Sequence, residues 1–247
     1  VSLNVFCFIS MNRFRVVLCE PTLPENIGAA ARAMHTMGLQ ELYLVAPKEW
    51  PSKAAFAVAK GGGAVLEKLK IASNLKSALE GAQAAVALTA RTRDYIPLLP
   101  LKEGLPKILK VEGNIALVFG RESSGLTNEE LLLCNIAMTI PANPDYPVLN
   151  LAQAVMIVCY ELRNWTVTSK QLPPKQIAPL KAYWSVFDRL EAVLAKIHLA
   201  NDSDVAIVQK FKALLWECEF DEQKMALLHL FLKRVQKKLD GEREPDL

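Results

Sequence analysis

Metal ligands are scarce in this chain. Its three histidines (His35, His198, His229) form no H-x-x-x-H pair, and its five cysteines (Cys7, Cys19, Cys134, Cys159, Cys218) form no C-x-x-C pair. A zinc or iron centre is therefore not expected, and the histidines read as ordinary surface or core residues. An odd number of thiols, most of them inside apolar runs, also argues against a disulfide framework and for reduced, buried side chains in a cytosolic protein. Long apolar runs are missing too: no stretch reaches the roughly 18 to 20 residues that a membrane helix needs, so a soluble chain is expected. Charge of one sign is not in excess, with 29 basic against 26 acidic residues, so any surface that attracts a polyanion must be local. No G-x-G-x-x-G follows the first strand, and "AKGGGAV" lacks the lysine and hydroxyl residue of a P-loop, so it reads as a turn. The start, "VSLNVFCFIS", has neither a basic n-region nor a small-residue cleavage site. Met11 directly after it reads as the natural start, preceded by an extension.

Within 247 residues, 51% of them hydrophobic, there is room for one large α/β domain and a small appendage. "FRVVLCE" reads as a buried strand, and "PTLPEN" as a turn-rich loop leading into the helix "IGAAARAMHTM", which stops at Gly38. "ELYLVAP", "AAVALTA", "NIALVFG" and "NIAMTIPA" read as further strands, with "SKAAFAVAK" and "NLKSALEGA" as helices. Such alternation predicts a mostly parallel sheet covered on both faces, which binds ligands beyond the carboxyl ends of its strands. The loops at 21–26, 120–127 and 143–150 lie there. The proline-rich stretch at 166–182 reads as a linker between a domain of residues 14–165, preceded by an extension at 1–13, and a helical region at 183–247. In that region one helix places Phe187, Leu190, Val193, Leu194 and Ile197 on one face. A second does so with Met225, Leu228, Phe231, Leu232 and Val235. So small a segment must pack on the main domain or on a second copy, and the terminal "GEREPDL" reads as frayed.

Pro144 and Pro147 stiffen the loop before "NLAQAVMIVCYELRNW" and leave its amides and carbonyls free to hold a flat heteroaromatic base. Asn150 with Gln153, and Thr127 with Glu130, stand at capping-box spacing. Gly120 and Gly125 permit close approach of a ligand. Asn26 falls at the N-cap position of the first helix. Arg32 follows, its side chain over Gly28, where the missing side chain leaves open space suited to an anionic or ribose-phosphate partner. A solvated surface arginine is the plain alternative.

Taken in order at the strand ends of one domain, "PENIGAAARAMHTMG", "LVFGRESSGLTNEEL" and "IPANPDYPVLNLAQAV" resemble the three signature motifs of the SPOUT (SpoU/TrmH-type) RNA 2′-O-methyltransferases. Within that family the likeness is to the TrmJ-type tRNA (cytidine/uridine-2′-O)-methyltransferases, which act on nucleotide 32 of the anticodon loop. It runs from about residue 14 to 165. The resemblance implies a mostly parallel α/β sheet in which roughly residues 114–165 thread through themselves as a C-terminal trefoil knot, followed by a small helical extension; periodicity alone cannot predict a knot. It implies a cytoplasmic homodimer whose protomers share each active site, with S-adenosyl-L-methionine as cofactor, tRNA as partner, and neither membrane nor metal. Under it the cofactor contacts fall on Leu88, Thr89, Ala90, Gly120, Ile140, Pro147, Val148 and Leu149, largely through main chain. The catalytic positions are Asn26, Arg32, Glu122 and Asn150, with Arg32 at the ribose and phosphate of the target. Arg91, Arg93 and Arg121, grouped on loops near the expected cleft, join Arg32 as RNA-binding candidates. The family's third motif usually reads Ser-Leu-Asn, whereas this chain has Val148-Leu149-Asn150, and valine can neither donate nor accept a hydrogen bond. The same motifs leave two alternatives open: an RNA-binding protein of this fold with impaired catalysis, and a 2′-O-methyltransferase acting on ribosomal RNA.

Overall fold

A computed structural model describes residues 10–93, 97–168, 177–197, 205–218 and 220–240. Cys7, His198, residues 1–9 of the extension, the middle of the expected linker (169–176) and the charged tail lie outside the described residues. The elements run β1 (Phe14–Cys19), α1 (Pro24–Met37), β2 (Glu41–Val45), α2 (Lys53–Ala59), α3 (Gly63–Glu67), β3 (Lys70–Ala72), α4 (Leu75–Ala78), β4 (Ala84–Leu88), β5 (Leu98–Pro100), α5 (Leu101–Leu109), β6 (Ile115–Phe119), α6 (Asn128–Leu132), β7 (Ile136–Thr139), α7 (Leu151–Thr168), α8 (Leu180–Lys196), α9 (Val205–Glu217) and α10 (Glu222–Leu239). The strands form one sheet in the order β3-β2-β1-β6-β4-β7-β5, and every neighbouring pair is parallel.

Strands buried on both faces read as near-continuous apolar runs, which is why the sequence shows them so plainly. Alternate residues go to opposite cores. Val16, Leu18, Val86 and Leu117 meet α1 (Ile27, Met34), α5 (Leu105) and α7 (Val155, Leu162) on one side. Val17, Ala85, Ala87, Ala116, Val118 and Ala137 meet α4, α8 (Tyr183, Phe187, Leu190) and α10 (Met225, Leu232) on the other. The alanines keep that second face low, so the bulky aromatics of α8 can lie against it. Trp184 Nε1 donates to the Leu133 carbonyl at 3.4 Å. The helical tail therefore packs on the main domain.

Several local expectations are corrected. α1 begins at Pro24 rather than Ile27, because a proline in the first turn lacks only an amide that would have no intrahelical partner anyway. Asn26 is thus inside the helix and 7% exposed, and Leu23 takes the N-cap place without a side-chain hydrogen bond. Residues 59–65 are not an irregular turn: Lys60–Gly62 form a short 3₁₀ helix that runs straight into α3. Nor is the space above Gly28 open. A methyl placed on Gly28 would lie 2.1 Å from the Ala55 carbonyl oxygen of α2, and one on Gly62 would lie 2.7 Å from the Arg32 Cα. Those two glycines serve backbone-to-backbone packing around α1, not ligand room.

β5 and α5 occupy a segment that the sequence reading left unassigned, since Pro106 inside α5 masks its helical pattern. Arg13 caps that helix, donating to the carbonyls of Leu109 (3.0 Å) and Val111 (2.7 Å). α7 and α8 reach into the expected linker from both sides. In the tail, Ile197 and Phe231 are exposed, as is Cys218, while Cys19, Cys134 and Cys159 are buried and unpaired. Burial pushes the Cys159 thiol up to about 12.

Candidate active site

Because all strands run the same way, the loops after β1, β4, β6 and β7 gather at one edge of the sheet. A cleft of about 860 Å³, open mouth included, lies among them. Leu88, Thr89 and Ala90 reach it from the end of β4, Gly120 from β6 and Ile140 from β7, while Pro147, Val148 and Leu149 form the wall that leads into α7. The loop before α7 is set by short-range bonds: Asn143 accepts from the Asp145 amide through Oδ1 (3.1 Å) and from the Tyr146 amide through its carbonyl (3.0 Å). Across the cleft the Thr89 amide donates to the Met138 carbonyl at 3.0 Å, and Thr89 Oγ1 accepts from the Arg91 amide at 3.1 Å.

Beside the cleft, the three motifs are joined by one directed chain of hydrogen bonds. Asn150 Oδ1 accepts from the amides of Ala152 (2.9 Å) and Gln153 (3.4 Å), capping α7. The return bond from the Gln153 side chain is absent among the described residues, so half of that expected box forms, whereas the Thr127–Glu130 box is complete. With its oxygen so engaged, Asn150 turns Nδ2 to Asn26 Oδ1 at 2.9 Å. Asn26 then presents Nδ2 to Glu122 Oε1 at 3.0 Å. Glu122 also accepts from the Thr22 amide (3.1 Å), the Thr22 hydroxyl (2.9 Å) and the Leu23 amide (3.3 Å). Partial burial works to raise the Glu122 carboxyl, but these donors, Asn26 foremost, outweigh it and hold the group below its ordinary value. A carboxylate so occupied is a poor proton acceptor; it frames the loops.

Arg121 is committed to two carboxylates. It donates from Nε to Glu20 Oε2 at 3.0 Å and, through both terminal nitrogens, to Glu130 at 2.8 and 3.1 Å. The bonds to Glu20 and Glu130 raise the guanidinium further and lower Glu20, which itself sits at a left-handed φ of 43°. Arg93 donates to Asn128 Oδ1 and the Thr92 carbonyl, each at 3.1 Å. Arg91 lines the cleft, and its guanidinium has no partner among the described residues. Arg32 is exposed on α1, likewise without a partner among the described residues, and does not line the cleft of its own chain. Sequence reasoning does not single out Thr22 or Glu20, whose partners lie 100 and 101 residues away. Among the described residues, no cluster of His, Cys, Asp and Glu could hold a metal ion, and no helix is long and apolar enough to cross a membrane.

The sequence matches the family model described as SpoU rRNA Methylase family over residues 13–160. An uncharacterized tRNA/rRNA methyltransferase of Haemophilus influenzae is 34% identical over 241 residues, which cover 95% of this chain and 99% of that protein. The tRNA (cytidine/uridine-2′-O-)-methyltransferase TrmJ of Pectobacterium atrosepticum is 35% identical over 241 residues, 93% of this chain and 99% of its own. The crystal structure of TrmJ from Z. mobilis aligns with a TM-score of 0.79 at 30% identity, covering 90% of this chain and 99% of that one.

Proposed function

This chain belongs to the SpoU rRNA methylase family, and from that premise we propose that it methylates a tRNA ribose at the 2′-oxygen, using S-adenosyl-L-methionine, at cytidine or uridine 32 of the anticodon loop. The observation that carries the reading is the meeting of the cleft with the Asn150–Asn26–Glu122 chain at one edge of a parallel sheet. Similarity to TrmJ proteins along nearly the whole chain favours tRNA over ribosomal RNA.

The cleft fits the cofactor chemically. Leu88, Phe119, Ile140 and Leu149 offer apolar walls for an adenine, while the hydroxyls of Ser123, Ser124 and Thr139 suit the ribose and the polar methionine end. When bound, the cofactor supplies an electrophilic sulfonium methyl. What remains for the chain is orientation. The stiff loop at 143–149 presents main-chain polar groups to the cofactor. Glu122, Asn26 and Asn150 hold three loops in register as positioning residues. Arg32, a poor proton acceptor, fixes the target ribose and stabilises the negative charge that develops on its 2′-oxygen.

Since Arg32 lies apart from the cleft of its own chain, the complete site is that of a homodimer in which α1 of one protomer serves the cleft of its partner. Met156 and Tyr160, exposed on α7 beside α1, give that contact an apolar part. The sheet order, with β6 and β7 flanking β4, supports a trefoil knot formed by residues 114–165. Arg91 and Arg93 join Arg32 in holding RNA, and Arg121 contributes by shaping its loop through Glu20 and Glu130. The cytoplasm, where tRNA is found, is the place of action.

The test is transfer of labelled methyl groups from S-adenosylmethionine to tRNA lacking anticodon-loop ribose methylation, with the product nucleoside identified by mass spectrometry. A 2′-O-methylated cytidine or uridine at nucleotide 32 is expected. Transfer to ribosomal RNA alone would overturn the substrate, and no transfer despite cofactor binding would favour a binding protein. Val148, 58% exposed at the lip of the cleft, stands where the family has serine. Val148→Ser should raise turnover about fivefold, the worth of one hydrogen bond of about 1 kcal/mol, at unchanged cofactor affinity. An unchanged rate would show that the hydroxyl is not limiting.

A further inference from the structure

Outside the cleft, α2 carries an exposed face of mixed basic and aromatic character. Lys53 and Phe56 stand one turn apart on one side of it, Lys60 follows at its C-terminal end, and all three are exposed, Phe56 by 42%. The Phe56 ring stacks on Trp50, with centroids 5.9 Å apart and an interplanar angle of 27°. Trp50 in turn packs against the main core, so the pair is a firm platform rather than a loose side chain. Lys53 and Lys60 have no side-chain partner among the described residues. Lys60 also holds a left-handed φ of 45°, directly before three glycines. A lysine there meets a steric penalty that glycine would avoid, and such strain is commonest where a side chain is used. The acids on the neighbouring segments are Glu49, which accepts from the Ser52 hydroxyl at 3.1 Å, Glu25 on α1 and Glu67 at the end of α3. Lys48, Lys53, Lys60 and Arg32 outnumber them.

This face adjoins the site already described. The Lys48 amide donates to the Pro21 carbonyl at 3.2 Å, tying the loop that carries Trp50 to the loop that holds Glu122. α2 also touches α1, the helix of Arg32, at the Gly28–Ala55 contact. We infer that this face takes an unpaired nucleotide neighbouring the methylated ribose, its base stacked on Phe56 and its phosphates between Lys53 and Lys60. Aromatic stacking flanked by lysines suits a single-stranded loop, because every base has a stacking face and every nucleotide a phosphate. The inference rests on the tRNA reading above.

The test measures binding of unmodified tRNA to the full chain by filter retention across a salt series, with S-adenosylmethionine affinity measured on the same preparations. Phe56→Ala should weaken tRNA binding about tenfold, and Phe56→Tyr should restore it. Lys53→Ala and Lys60→Gly should each flatten the slope of log K against log salt by about 0.7. Glycine suits the backbone at position 60, so that variant leaves the fold intact. Cofactor affinity should not change in any of them. Wild-type affinity and slope in all four variants would overturn the inference while leaving the tRNA reading in place. A wild-type chain that binds the cofactor but no tRNA would overturn both.

Discussion

Replacing Arg32 with alanine should slow methyl transfer by about two to three orders of magnitude while leaving the melting temperature and cofactor affinity unchanged. The separation follows from geometry. Arg32 is exposed, has no partner among the described residues and lines no part of its own cleft, so nothing in the protomer depends on its side chain. On the proposed reading its value lies in charge and fork geometry offered to the reacting ribose. Arg32→Lys should therefore recover only part of the rate, since an ammonium keeps the charge but not the planar pair of donors. Single-turnover rates at saturating cofactor measure this directly. A wild-type rate in Arg32→Ala would remove the arginine from the mechanism.

Asn26→Ala should have the largest effect on stability, about 2 kcal/mol, because it breaks both links of a part-buried chain at once. Glu122 loses a donor, and the Asn150 amide loses its acceptor. For a chain of this size the melting temperature should fall by about 4 to 8 °C. The pH dependence has a definite sign. Glu122 sits below its ordinary value in the folded protein, so its contribution to stability is full above the unfolded carboxylate pKa and is lost as pH falls through the folded one. The gap between wild type and Asn26→Ala should thus be widest near neutral pH and narrow below about pH 4. Asn26→Asp places a second carboxylate against Glu122, and that variant should regain stability on mild acidification. Parallel melting curves for all three proteins from pH 3 to 8 would test the account, and a gap independent of pH would refute it.

The core strands could be read from the sequence because a doubly covered parallel strand needs no alternation to announce itself. Strand β5 and helix α5 could not: one is three residues long and the other contains Pro106. Asn26 shows a different limit. Its local setting suggests a helix cap, yet its partners stand 96 and 124 residues away, and no short-range rule weighs such pairs. Gly28 misleads in a similar way, since a missing side chain in a sequence says nothing of what fills the gap. Of the cleft lining, Leu88, Thr89, Ala90, Gly120, Ile140, Pro147, Val148 and Leu149 were reached through motif resemblance, and Ser123, Ser124 and Thr139 were not. The clamp of Glu20 and Glu130 on Arg121, and the anchoring of Glu122 by Thr22, emerge only when the loops are seen together.

The low, alanine-lined side of the sheet has one more consequence. A chain cut after α7 would leave Val17, Val118 and their neighbours facing water across a broad apolar surface of the kind that makes shortened proteins aggregate. The tail may be varied on its outer side, where Leu227 and Phe231 already meet solvent. A fragment that ends after α7 should therefore aggregate more readily than one that runs through α10.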